Sequence, residues 1–447
     1  MTPLPPPTPT LSAAAAAIRS GRLRALDLVE ACLVQVDAWE PRVHAWVELD
    51  PEGAKRQARQ LDAELVGGLY RGPLHGIPMG VKDIIDVAGF ATRAGSPDPL
   101  RQEPAARDAP LVARLRQAGA IIFGKTATTP FAWLDPPPTR NPWNLGRTPG
   151  GSSSGSAAAV ASGMCLAALG TQTGGSIIRP ASFCGVAGLK PSFGILETMG
   201  IVPLAPSLDH PGAIARTAAD LWLVFDALRD PERPLAAERL SPRSLGCGIP
   251  RLGVVRGFLS SLVEPEMSER LGEFCAGLES RGGCLIELEI DLDIAAILAD
   301  CRTILAAEAA AEHRRLQAMS PAAFPPQITA LIAEGKEVFA ADYLEARRRQ
   351  NAASQQAAAV FDSLEVLATP AARGPAPPTA TTGDPSLNAP WSFLGLPTVC
   401  IPIGRSADGM PLGVQLIGRP GGDLDLLSVA AWCEATDSQA SGKRAAD

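Results

Sequence analysis

Two Gly-Gly-Ser turns, Gly150–Ser152 and Gly174–Ser176, place two serines 24 residues apart in the chain. The segment between them is made almost wholly of small residues. Ser153–Gly163 suits a tightly packed helix and Cys165–Gly170 a short apolar strand. Glycine admits turns that expose backbone N–H groups and lets a second backbone approach closely. A serine on such a turn can act as a nucleophile beside a ready-made pocket for an oxyanion. Two such turns in tandem suggest that one serine serves the other.

The rest of the chain supplies the scaffold. Its 447 residues are 46% hydrophobic and 19% charged, as expected of a globular enzyme with a large core. Strand-like runs at Ile77–Val81, Ala120–Phe123, Cys165–Gly170, Arg251–Val255, Cys284–Leu288, Leu364–Leu367, Thr398–Pro402 and Gly413–Ile417 alternate with helical patterns. Helices are expected at Pro110–Gly119, Ala218–Leu228, Glu266–Arg281, across Asp293–Phe361 and at Leu424–Glu434. This alternation predicts an α/β fold, a sheet core covered by helices on both faces. No charge-rich linker divides it. One domain over 11–435 is expected, helical over 11–66, between a flexible N-terminus (1–10) and a polar, flexible tail (436–447).

Charge and composition exclude several functions. A net charge of −7 leaves no basic footprint for nucleic acid. The run Arg347–Arg349 reads as a solvated helix face. Nine cysteines without C-x-x-C spacing read as buried thiols of a reducing cytoplasm. The Pro-rich start resembles no secretory signal, and Ala13–Ile18 is too short to cross a membrane. Four histidines (His44, His75, His210 and His313) form no ligand motif, so neither a metal nor a cofactor is expected.

Two motifs match by letter and fail on context. Gly119-Ala-Ile-Ile-Phe-Gly-Lys-Thr126 spells a phosphate loop, but the helix precedes Gly119 and the middle residues are an apolar strand. Gly151-Ser-Ser153-Ser-Gly155 spells a nucleophile elbow, but no strand leads into it. That elbow also requires partners such as Asp209 and His313. A third reading joins both turns to a lysine. Consecutive N–H groups over Thr173, Gly174, Gly175 and Ser176 can converge on an anion. Ser176 is then placed to attack a carbonyl, provided a base takes its proton. Ser152 can pass that proton on to a lysine made neutral by burial. Lys82, directly after the apolar strand Ile77–Val81, is the best-placed candidate.

The motifs Gly72–Asp83, Pro149–Gly163, Gly170–Ser176, Ser182–Pro191 and Leu204–Asp209 together resemble the amidase signature family. The resemblance runs from about residue 11 to 435. It implies a large mixed sheet between helices and an amide hydrolase that uses Ser176 as acyl-forming nucleophile. Ser152 would be the bridging serine, in a cis peptide with Gly151, Lys82 the base, and Ser153 a residue that orients Lys82. It implies a small-molecule amide substrate held near Thr128–Trp133 and Asn388–Trp391, whose content suggests an uncharged or aryl-bearing amide, turned over by a monomer or homodimer. The same resemblance leaves open the glutamine amidase component of a tRNA-dependent amidotransferase; a non-catalytic binding protein and a nucleotide-binding protein are remoter readings. Two positions depart from the family pattern. Gln172 stands where many members have Asp, and Ile178 where they have Arg, with Arg179 one residue further on.

Overall fold

The computed structural model describes residues 8–96, 103–230 and 250–444. Eleven strands form one mixed sheet: β1 (Trp46–Leu49), β2 (Pro78–Lys82), β3 (Ile121–Thr126), β4 (Ala167–Gln172), β5 (Ala187–Lys190), β6 (His210–Ala215), β7 (Arg251–Val255), β8 (Cys284–Leu288), β9 (Val366–Pro370), β10 (Thr398–Arg405) and β11 (Pro411–Gly418). Their order is β1-β3-β2-β4-β6-β5-β10-β11-β9-β7-β8. β2 lies parallel between β3 and β4, while β4, β6, β5, β10, β11 and β9 pair antiparallel in turn.

The period-2 geometry of the strands divides the core between two faces. Ala167 and Leu169 of β4 and Ala213 and Ala215 of β6 join one apolar cluster, with Leu221, Val224 and Phe225 of the helix Ala218–Leu228. Ala168 and Ile214 join a second cluster, with Ala157–Val160 of the helix Ser154–Ala161. That second helix can press so close because its residues are small. A Cβ at Gly155 would collide with the carbonyl oxygen of Ala45 and the N–H nitrogen of Ala127.

The observed chain differs from the sequence expectation in several places. The helical stretch 11–66 is broken by β1. His44, at φ 53°, ends the helix Ala25–Val43, and Pro51 begins the next, which Asp50 caps through the N–H of Gly53. Trp46–Leu49 between them is extended and pairs with β3. Residues 8–10 are docked, not loose: Thr8 is buried, Arg216 donates to the carbonyl of Pro9, and Thr10 caps the helix Leu11–Arg19. Residues 1–7 lie outside the described residues. The last helix runs Asp423–Arg444, well past Glu434. Of the cysteines, Cys284 is exposed and Cys275 partly so; the other described ones are buried free thiols, and Cys247 lies outside the described residues. Among the described residues no helix is long and apolar enough to cross a membrane.

Candidate active site

Lys82 ends β2 with its side chain fully buried. Its Nζ lies 2.7 Å from Ser152 Oγ and 2.8 Å from Thr171 Oγ1, with the Thr171 carbonyl at 3.4 Å. No carboxylate pairs with it among the described residues. The neighbouring Asp83 is bound instead to Lys125, at 3.0 Å. Burial without an ion pair disfavours the ammonium. It holds Lys82 well below the usual lysine range, with the Asp209 carboxylate acting in the opposite sense.

Ser152 follows Gly151 across a cis peptide bond, as the resemblance implied. The next residue, Ser153, precedes the helix Ser154–Ala161, and its N–H donates to the Ser176 carbonyl at 3.2 Å. The two Gly-Gly-Ser turns are thus hydrogen-bonded to each other. Ser176 is 8% exposed, and its hydroxyl makes no hydrogen bond among the described residues. The N–H groups of Gly174, Gly175 and Ser176 are likewise unclaimed there. Those of Ile177 and Ile178 are not available, because both donate to Gln172 Oε1, at 2.9 and 3.0 Å.

The loop 172–176 is clasped from two sides. Gln172 Nε2 donates to Ser392 Oγ at 3.0 Å, and Ser392 Oγ donates to the Gly174 carbonyl at 3.2 Å. Thr173 Oγ1 donates to Asp209 at 2.5 Å. Asp209 also accepts from the N–H groups of Leu204 and Ala205. Burial raises its carboxyl to about 6 despite these donors. Sequence reasoning missed Thr171, Ser392 and the clasping role of Asp209. Thr171 was within reach, since it is the penultimate residue of the strand that leads to the second turn; Ser392 is brought in from more than 200 residues away.

The structure gives the surroundings of Ser153 and of the two motifs set aside on context. Among the described residues Ser153 makes no hydrogen bond to Lys82. Its Oγ bonds the backbone of Thr171, donating to the carbonyl at 3.2 Å and accepting from the N–H at 3.3 Å, so it acts on Lys82 only through Thr171. The elbow reading fails because His313 donates to the Pro203 carbonyl and not to Asp209. Burial lowers His313 to about 4. His75 is tied to the Leu61 carbonyl and the Arg71 N–H, and His210 to the Leu208 carbonyl. The phosphate-loop reading fails because Lys125 lies within β3, fully buried against Asp83, Thr92 and the Ala91 carbonyl. Among the described residues no cluster of His, Cys, Asp or Glu could hold a metal ion.

A cavity of about 210 Å³ opens beside Ser176. Gly174, Gly175, Arg179, Ala132, Trp133 and Ala389 are part of its lining. Trp391, from the second expected pocket segment, is instead buried in the core. Another part of the wall is one stripe of the helix Ile294–Met319: Leu298, Cys301, Arg302 and Leu305, spaced i, i+3, i+4, i+7. The Arg302 guanidinium stands over the Trp133 ring, 5.3 Å from its centroid.

Comparison with known proteins bears on this site. The amidase family model matches residues 27–427. The chain is 34% identical to a glutamyl-tRNA(Gln) amidotransferase component of Chloroflexus aggregans, over 96% of both chains. It is 35% identical to an amidase of Pseudomonas putida, over 94% of both. The structure of the peptide amidase from Stenotrophomonas maltophilia superposes with a TM-score of 0.85, covering 98% of both chains at 30% identity. The chain belongs to the amidase family, enzymes that hydrolyse carbon–nitrogen bonds.

Proposed function

We propose that the protein hydrolyses a small carboxamide through an acyl-enzyme on Ser176, with Ser152 and Lys82 as proton relay. The observation that carries this reading is the 2.7 Å approach of Ser152 Oγ to a buried lysine amine that has no ion pair among the described residues. A neutral amine offers a lone pair. It takes the Ser152 proton as Ser152 takes that of Ser176, and Ser176 Oγ bonds to the amide carbon. The carbonyl oxygen becomes an oxyanion beside the N–H groups of Gly174, Gly175 and Ser176, which is where preorganised donors lower such a barrier. The Lys82 proton then returns through Ser152 to the departing nitrogen. Water attacks the ester by the same route and regenerates Ser176.

The lining of the cavity favours an acyl part with apolar or aryl character, set by Trp133, Leu298 and Leu305. A second reading is the glutamine amidase component of an amidotransferase, favoured by the near full-length match to the Chloroflexus aggregans protein. Ammonia release measured across aliphatic, aryl and amino-acid amides, glutamine included, separates the two. The first reading expects turnover of aryl or aliphatic amides by the isolated chain. Turnover confined to glutamine, and dependent on added partner proteins, would establish the second. In either case Ser176→Ala is inactive and folded, and a fluorophosphonate labels Ser176. Labelling of Ser153, or wild-type turnover by Ser176→Ala, overturns the mechanism.

A further inference from the structure

Arg179 is a buried cation that the mechanism above leaves unused. It lies in the first turn of the helix Ile178–Cys184, three residues past Ser176, and is 1% exposed. Its Nε donates to the Thr382 carbonyl at 2.7 Å, and its Nη2 to the Gly151 carbonyl at 2.8 Å. Nη1 is buried without a hydrogen-bond partner among the described residues, and a Cβ at Gly175 would stand 2.9 Å from it. Gly151 immediately precedes Ser152, and Gly175 immediately precedes Ser176. One planar guanidinium therefore bonds the backbone of one serine turn and packs against the backbone of the other. No carboxylate lies within ion-pair distance of it among the described residues; Asp384, which lines the same cavity, acts on it only from further away.

We propose that Arg179 is a positioning residue that fixes the Ser152 turn relative to the Ser176 turn and sets a positive charge with no direct ion pair behind the Gly174–Ser176 N–H groups. The proposal rests on the reading of Ser176, Ser152 and Lys82 given above. The guanidinium is rigid, and its hydrogen bonds to Gly151 and Thr382 leave it one orientation. Burial lowers it only to about 10, so it stays cationic at neutral pH. A fixed charge in a poorly solvated site favours the oxyanion over the neutral carbonyl, which changes the barrier more than substrate binding. Nη1 packs against the Gly175 backbone, and Arg179 also lines the cavity beside Ser176, so the split between kcat and KM distinguishes an effect through the loop from a contact with the substrate.

The test compares Arg179→Gln, Arg179→Lys and the double variant Ile178→Arg/Arg179→Ile, which moves the arginine to the commoner family position. Each is assayed for kcat and KM on an amide turned over in the ammonia screen, for melting temperature, and for affinity to phenylboronic acid, whose serine adduct is a tetrahedral anion. Arg179→Gln should lose on the order of 100-fold in kcat, the scale of one lost oxyanion-stabilising group, with KM within about threefold. Its affinity for the boronic acid should fall by a similar factor. The double variant should behave like Arg179→Gln. Arg179→Lys, which keeps the charge and can reach only one carbonyl, should retain boronic-acid affinity and lose about tenfold in kcat. If Arg179→Gln does not fold, wild-type kcat in Arg179→Lys overturns the proposal. A folded Arg179→Gln with kcat and boronic-acid affinity near wild type also overturns it. So does a loss expressed through KM and confined to carboxylate-bearing amides, which makes Arg179 a substrate contact. Ser176→Ala identifies the level of failure: if it is inactive while Arg179→Gln is normal, only this proposal falls, and if it is fully active, the underlying mechanism falls too.

Discussion

Gly175→Ala adds one methyl group at the most crowded point of the site. The new Cβ would lie 2.6 Å from Asn388 Oδ1, 2.9 Å from Arg179 Nη1 and 3.1 Å from Asn388 Cβ. Carbon atoms in good contact sit about 3.5–4.0 Å apart, so the shortfall is roughly 0.5–1 Å. Neither neighbour is a free chain end that can step aside. Asn388 Nδ2 donates to the Ala371 carbonyl and to Gln415 Oε1, and Arg179 is held by Thr382 and Gly151. The loop itself must therefore move, carrying Ser176 with it. Overpacking of this kind costs about 1–3 kcal/mol of stability. A displacement of about 1 Å at the reacting atoms costs on the order of 100-fold in rate. The expected result is a folded variant with kcat down about 100-fold in the ammonia assay and slowed fluorophosphonate labelling. The adjacent glycine is the stability control. At Gly174 the nearest atom to a new Cβ is Pro385 Cβ, at 3.8 Å, so Gly174→Ala should melt with the wild type. Wild-type kcat in Gly175→Ala, or equal destabilisation by both substitutions, refutes the reasoning.

Lys82 should set the acidic limb of the pH–rate profile. The neutral amine is the active form, so the rate rises with pH through a lysine pKa that burial has lowered, and falls below it. Lys82→Ala should cost about 10²–10⁴-fold, and Lys82→Arg should not rescue it, because arginine keeps its proton. Profiles of His75→Ala and wild type should share the same acidic limb; its disappearance in His75→Ala would count against the relay. Lys125→Ala should destabilise the fold by about 3–5 kcal/mol in urea titrations, since it strands Asp83 as an uncompensated buried charge. ATP should not shift the melting temperature of the wild type; a shift abolished by Lys125→Ala would revive the phosphate-loop reading.

The serine turns and the lysine were legible because each is a local pattern whose chemistry depends on a few adjacent residues. The strands around them were legible where β-branched and aliphatic runs stand out, as at Arg251–Val255 and Cys284–Leu288, which the structure reproduces residue for residue. β6 was not, because Pro211 and Gly212 argue against a central strand. The register removes the objection. β5 pairs only with Ala213–Ala215, so Pro211 lies beyond that ladder and its missing N–H costs nothing on that side. β1 escaped notice for another reason: four half-buried residues between two helices carry no alternation to read. Asn388 fell in an expected pocket segment, but its place beside Gly175, and the bond of Ser392 to the Gly174 carbonyl, arise only through tertiary packing.

The cavity wall built from one stripe of the helix Ile294–Met319 has a consequence for how such an enzyme changes substrate. Leu298, Cys301, Arg302 and Leu305 belong to none of the segments that carry Lys82, Ser152 or Ser176. This part of the cavity lining is therefore written in a different part of the gene from the reacting groups. Mutations at these four codons reshape what is admitted while the reacting groups keep their places, so drift in nature, or a directed library, can explore new amides without first losing turnover.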